Sequence, residues 1–209
     1  MKKYLDKLRL KVKVNKNLFV FLLVFILVGV ASGAVFSSVL NKADSKMVSD
    51  YLNNFMKMIE NNKPLLKESF INTSLINIGV SLLIWILGIS LVGILLVLPI
   101  LFIKSFILGF TIGSIINNFN FKGILISFIY VVPHQIVNIF TYMIVCAYAI
   151  IISYRLFECV RKKKVLDFKK IMNRYSFILF FSLIVLFITS LYEVFILPSI
   201  MKYMIKILK

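Results

Sequence analysis

Apolar and polar positions fall in long blocks along this chain, with no residue-by-residue alternation. Leu18 to Leu40 contains no charged residue. At 1.5 Å per residue about 20 residues cross a bilayer core, so 18–40 is read as a first transmembrane helix. Residues 41–74 are more polar, with Met47, Tyr51, Phe55 and Met58/Ile59 recurring at helical spacing. That pattern predicts a short amphipathic helix, broken at Asn61-Asn62-Lys63-Pro64. Leu75 to Ile116 is apolar apart from Lys104, twice the length of one crossing. A turn is therefore expected inside it, at Pro99–Lys104. Putting Lys104 at a membrane face avoids the roughly 2.5–3.5 kcal/mol that a lysine costs at mid-membrane. After Asn117-Asn118-Phe119-Asn120, apolar character resumes from Ile124 to Ser153, with a kink expected near Val132 because Pro133 lacks a backbone donor. The last apolar run, 175–197, carries Glu193 and is expected to end at Pro198.

The fold class that follows is an all-α polytopic integral membrane protein of about five transmembrane helices. Its segments are a basic arm (1–17), TM1 (18–40), a loop with an amphipathic helix (41–74), a central membrane core of TM2–TM4 (75–153), a basic loop (154–174), TM5 (175–197) and a short basic tail (198–209). Basic residues crowd 1–17 and 155–174. The positive-inside rule wants both on the cytoplasmic side, which needs an even number of crossings between them. Spans near 18–40, 75–98, 104–119 and 124–153 supply four, so the expected topology has the N-terminus cytoplasmic and the C-terminus outside. The stretch Ala31-Ser32-Gly33-Ala34 resembles a signal-peptide cleavage site, but the apolar run continues through Val39, which suits an uncleaved anchor.

Composition agrees. The 209 residues are 61% hydrophobic and 16% charged, against about 45–50% and 25% in soluble domains. The net charge of +17 raises nucleic acid as a partner. Its placement beside apolar runs argues against that and for contact with the lipid bilayer.

Candidate chemistry is sparse. No nucleotide-binding P-loop, HExxH, GxSxG or paired-cysteine pattern occurs, and no catalytic, cofactor-binding or metal-binding set is assigned, so the chain is not read as an enzyme. Cys146, in an apolar run, reads as a small core hydrophobe, and Cys159 has no metal-ligand spacing. The polar groups at membrane depth are His134, Gln135, Asn138, Glu193 and, more marginally, Asn77 and Lys104. A His134–Glu193 pair could line a cavity or relay protons; the plainer reading is that both bridge helices. Gly29 and Gly33, and Gly109 and Gly113, form two GxxxG pairs that permit close helix approach within one chain or between copies, which leaves a homo-oligomer open.

Trp85-Ile86-Leu87-Gly88-Ile89-Ser90, the segment from Lys104 to Gly113, Lys122-Gly123, Pro133-His134, and Glu193 followed by Pro198 are similar in order and spacing to the stage II sporulation protein M family. The resemblance covers essentially the whole chain. It implies a non-enzymatic membrane protein of endospore-forming bacteria. Such a protein acts with stage II sporulation proteins D and P, anchoring these peptidoglycan-degrading partners at the septum during forespore engulfment. The chain departs from the expected pattern at Gln135 and Asn138, where glycine and an acidic residue are anticipated. The glycine-punctuated, proline-broken centre supports a rival from another class, a permease-like transporter subunit.

Overall fold

The computed structural model describes residues 2–60, 66–90, 93–162 and 168–208; these form helices joined by short turns, with no strand among them. The elements are α1 (Lys2–Ser38), α2 (Lys42–Glu60), α3 (Leu66–Gly88), α4 (Gly93–Ile126), α5 (Val132–Lys162), α6 (Phe168–Leu191) and α7 (Leu197–Leu208). A π-helical turn, Ser127–Val131, joins α4 to α5, and a second, Tyr192–Ile196, joins α6 to α7.

Four apolar stretches are long enough to cross a membrane: Lys16–Ser38, Phe70–Gly88, Gly93–Arg161 and Ile171–Tyr203. The third, at 69 residues, is far longer than one crossing needs. It doubles back at Asn120, whose φ of 51° and ψ of −126° match the first central residue of a type II′ turn. Beyond that turn Gly123 packs on Ile115 and Ile116, and the Lys104 ammonium lies over the Tyr142 ring. The stretch is thus a helical hairpin of two limbs, and the described bundle has five apolar passes.

α1 and α4 pack intimately, and the glycines explain how. Gly29 sits against Phe102 and Ser105, Gly33 against the backbone of Phe106 and Phe110, and Gly109 against the Val30 carbonyl. Gly113 sits against Ala34 and Ser37. Partner numbers rise together, so the two helices run parallel, each GxxxG pair seated on the other helix's backbone. Without a hydrophobic drive between helices in lipid, such close contact is what dispersion forces need. Leu22, Val97, Leu101, Tyr142, Val145, Cys146, Ala149 and Leu186 fill the interior. Phe177, Phe180, Phe181 and Ile188 stay exposed on the outer surface, as lipid-facing residues do.

Two turn positions differ from the sequence reading. The turn predicted at Pro99–Lys104 falls instead between Gly88 and Gly93. There Ser90 N–H donates to the Leu87 carbonyl at 2.9 Å and Gly93 N–H to the Ser90 carbonyl at 3.1 Å. A Cβ at Gly93 would strike the Leu87 carbonyl, so the turn closes only around glycine. Pro99 lies inside α4. A proline is tolerated in a membrane helix where neighbouring helices surround the freed backbone. Nor does Pro198 stop the last run: the π-helical turn before it carries the chain into α7, where Leu197 and Met201 are buried. The kink expected near Val132 is present as the first π-helical turn. The amphipathic helix is α2; its predicted break at 61–64 lies outside the described residues.

At one end of the bundle the Ser153 hydroxyl donates to the Ser90 carbonyl at 2.7 Å, and the Tyr175 hydroxyl to the Trp85 carbonyl at 3.1 Å. Because α1 and α4 start at this end and α5 finishes there, the two basic regions share it. α2 covers the opposite end, reaching from Ser49, whose hydroxyl donates to Asn118 Oδ1 at 2.7 Å, to Phe55, which packs on Tyr130 at 5.8 Å between ring centroids.

Candidate functional site

The polar groups that sequence places at membrane depth converge on one interior cluster. On α5 the spacing His134, Asn138, Tyr142 is i, i+4, i+8, one helical face. All three side chains are buried. They meet Thr189 and Ser190 of α6, Glu193 of the second π-helical turn, Asn77 of α3 and Lys104 of α4.

Two hydrogen-bond chains tie the helices together. The Tyr142 hydroxyl donates to Asn77 Oδ1 at 3.0 Å, and Asn77 Nδ2 donates to Ser190 Oγ at 3.3 Å, linking α5, α3 and α6. The Thr189 hydroxyl reaches Asn138 Oδ1 at 2.6 Å and, as an alternative acceptor, the Leu186 carbonyl at 2.9 Å. Ser190 also donates to the Leu186 carbonyl at 2.8 Å. A cavity of about 90 Å³ opens beside this network, lined in part by Asn77, Lys104, Thr111, Gln135 and Tyr142.

His134 and Glu193 do come together. Nε2 and Oε2 stand 3.8 Å apart, beyond hydrogen-bond reach, with the histidine side chain 3% and the glutamate side chain 24% exposed. His134 Nδ1 and Glu193 Oε2 are buried without a hydrogen-bond partner. Tyr130 lies edge-on to His134 at 6.3 Å, so Phe55, Tyr130, His134 and Glu193 form a continuous path from α2 into the interior.

Lys104 departs furthest from the position its sequence context predicts. It does not sit at a membrane face; it stands eleven residues into α4 (104 − 93), about 16 Å from the helix start. Its ammonium is 5.6 Å from the Tyr142 ring centroid. A cation at this depth is met by a π face, which an interfacial lysine that snorkels does not need.

The π-helical turns build this arrangement. In each, the closing N–H reaches five residues back, Val132 to the Ser127 carbonyl and Leu197 to the Tyr192 carbonyl. Each lies just before a proline, Pro133 or Pro198, whose ring crowds the carbonyl four residues back in a regular α-helix, a crowding that the wider π-turn relieves. His134 lies three residues past the first turn (134 − 131) and Glu193 lies inside the second, a common position for functional groups. Sequence reasoning missed Tyr142, Thr189 and Ser190 as members. The i+8 step from His134 to Tyr142 was the available signal. Among the described residues no three His, Cys, Asp or Glu side chains gather as a metal site would require.

Comparison with curated proteins and with solved structures returned no match. The family model of Stage II sporulation protein M matches residues 21–198, from the middle of α1 through Pro198 and across every element of the cluster. The chain is a multi-pass membrane protein that belongs to the Stage II sporulation protein M family.

Proposed function

We propose that this sporulation-family membrane protein is a non-catalytic scaffold that holds peptidoglycan-degrading proteins at the septum during forespore engulfment. The observation that carries the reading is the two-sided character of α2. Leu52, Phe55 and Ile59 turn toward the bundle, whereas Met47, Tyr51 and Met58 form an adjacent stripe that is 71%, 73% and 58% exposed. A helix fixed on one side and bare and apolar beside it suits a partner helix or loop. The partners implied are stage II sporulation proteins D and P. In the same reading both basic regions face the cytoplasm, and α2 and the C-terminus lie outside.

Affinity purification from engulfing cells tests this. Recovery of both hydrolases, lost on replacing Met47 and Tyr51 by Ser, is the expected result. Recovery of an ATPase without either hydrolase would replace the scaffold by the second reading, a permease-like subunit. That alternative draws on the buried His134–Glu193–Lys104 cluster and its cavity. Alanine at His134 and Glu193 separates the two: a scaffold keeps its septal localisation, whereas a transporter loses function with level and localisation intact.

A further inference from the structure

A second cleft, of about 420 Å³, lies at the end of the bundle covered by α2. That is within the roughly 300–1,000 Å³ typical of small-ligand sites. Its walls are the last turn of α1, the first two turns of α2 and the Ser114–Asn118 stretch of α4. Lys42 and Lys46, one helical turn apart on α2, both line it, and no Asp or Glu does. Among the described residues neither lysine is in an ion pair. The one carboxylate in the first turn of α2, Asp44, is taken by the cap of that helix. Its Oδ2 accepts from Asn41 Nδ2 at 2.9 Å, and its backbone N–H donates to Asn41 Oδ1 at 2.8 Å.

The floor of the cleft carries polar atoms that the protein itself does not satisfy. Ser114 is 6% exposed, and its hydroxyl oxygen has no hydrogen-bond partner. Asn118 Nδ2 is likewise buried and unpartnered. Buried polar atoms normally find partners, so two of them in one cleft with a pair of exposed lysines mark a place built for a ligand. Two cations, an amide donor and a hydroxyl that can donate define an acceptor-rich anion, favoured further by the positive end of the α2 dipole. The level in the membrane is also defined, because the apolar runs of α1 and α4 end here, at Leu40 and Asn117.

We propose that this cleft binds a phosphate-type oxyanion at the membrane boundary, presented by the phosphodiester of an anionic phospholipid or by free phosphate. The full chain purified in detergent provides the test, with bound lipid read by native mass spectrometry. Wild type should retain phosphatidylglycerol in preference to phosphatidylcholine. Lys42→Gln with Lys46→Gln should weaken that retention about tenfold or more. Ser114→Ala, which leaves every charge in place, should weaken it severalfold, and Lys57→Gln on the exposed side of α2 should leave it unchanged. Inorganic phosphate alone, added at constant ionic strength, distinguishes the sources. A rise in Tm of the wild type that the double lysine variant lacks, without selective lipid retention, assigns free phosphate; selective retention assigns the lipid. Equal retention of the two lipids together with no phosphate-induced shift in Tm would overturn the proposal. So would an effect of Lys57→Gln as large as that of the double variant, since the attraction would then be diffuse.

Discussion

At the scale of single residues, the interior cluster shows how little a buried polar group need contribute when a backbone carbonyl stands ready. The Thr189 hydroxyl can fall back on the Leu186 carbonyl, and Asn138 Nδ2 has no partner to lose. Asn138→Leu should therefore change stability by less than about 1 kcal/mol, because it also removes an unsatisfied donor. Asn77 bridges two other helices, so Asn77→Leu should cost about 1–2 kcal/mol, near the upper range for hydrogen bonds between membrane helices. Denaturant titration in detergent micelles would rank the two variants, and the opposite order would contradict the network described. Polar residues in an apolar run were legible in the sequence; their partners were not. Ser, Thr and Tyr are cheap enough in membrane helices to leave no trace in a hydropathy pattern, so Thr189 and Ser190 gave no warning and Tyr142 could be reached only through its spacing from His134.

At the scale of elements, glycine decides the packing of α1 on α4. Gly109→Leu would drive a side chain into the Val30 carbonyl and should destabilise by about 1–3 kcal/mol or more. Gly79, in α3, has nothing within 4 Å of the position its Cβ would take. Gly79→Ala should thus raise stability by up to about 1 kcal/mol, the ordinary propensity gain. Comparing Tm for the two variants checks both statements. Asn120 offers a third test: Asn120→Gly should be neutral or stabilising, and Asn120→Val should cost about 1–3 kcal/mol, because a β-branched residue resists that backbone conformation. The elements themselves followed from apolar block length, and the close-packing use of both GxxxG pairs from their spacing. The turn before α4 did not. Proline breaks helices in water better than in lipid, so neither Pro99 nor Pro198 ends its helix, while Gly88 and Gly93 mark the real reversal.

For the whole molecule, the fold makes a claim about sides. Once the native cysteines Cys146 and Cys159 are replaced, a cysteine at Asn53, on α2, and one at Arg161, at the end of α5, should react with impermeant thiol reagents from opposite faces of the membrane. Labelling of both from one face would contradict the five-pass arrangement. The net charge of +17 then ceases to be a general property of the chain and becomes an asymmetry between its two ends. Sequence sufficed for membrane residence and for grouping the two basic regions. It could not reveal the cleft at the opposite end, whose walls come from residues 37–49 and 114–118, two regions far apart in the chain.

The parallel seating of α1 on α4 carries a consequence for biosynthesis. Gly29 meets Ser105, a residue made 76 positions later (105 − 29). At about 5–20 residues per second, α1 must wait on the order of 4–15 s with its glycine groove unoccupied. Nascent chains arrested before α4 is made should therefore cross-link from Gly29→Cys to lipid or to the insertion machinery, and released full-length chains should not.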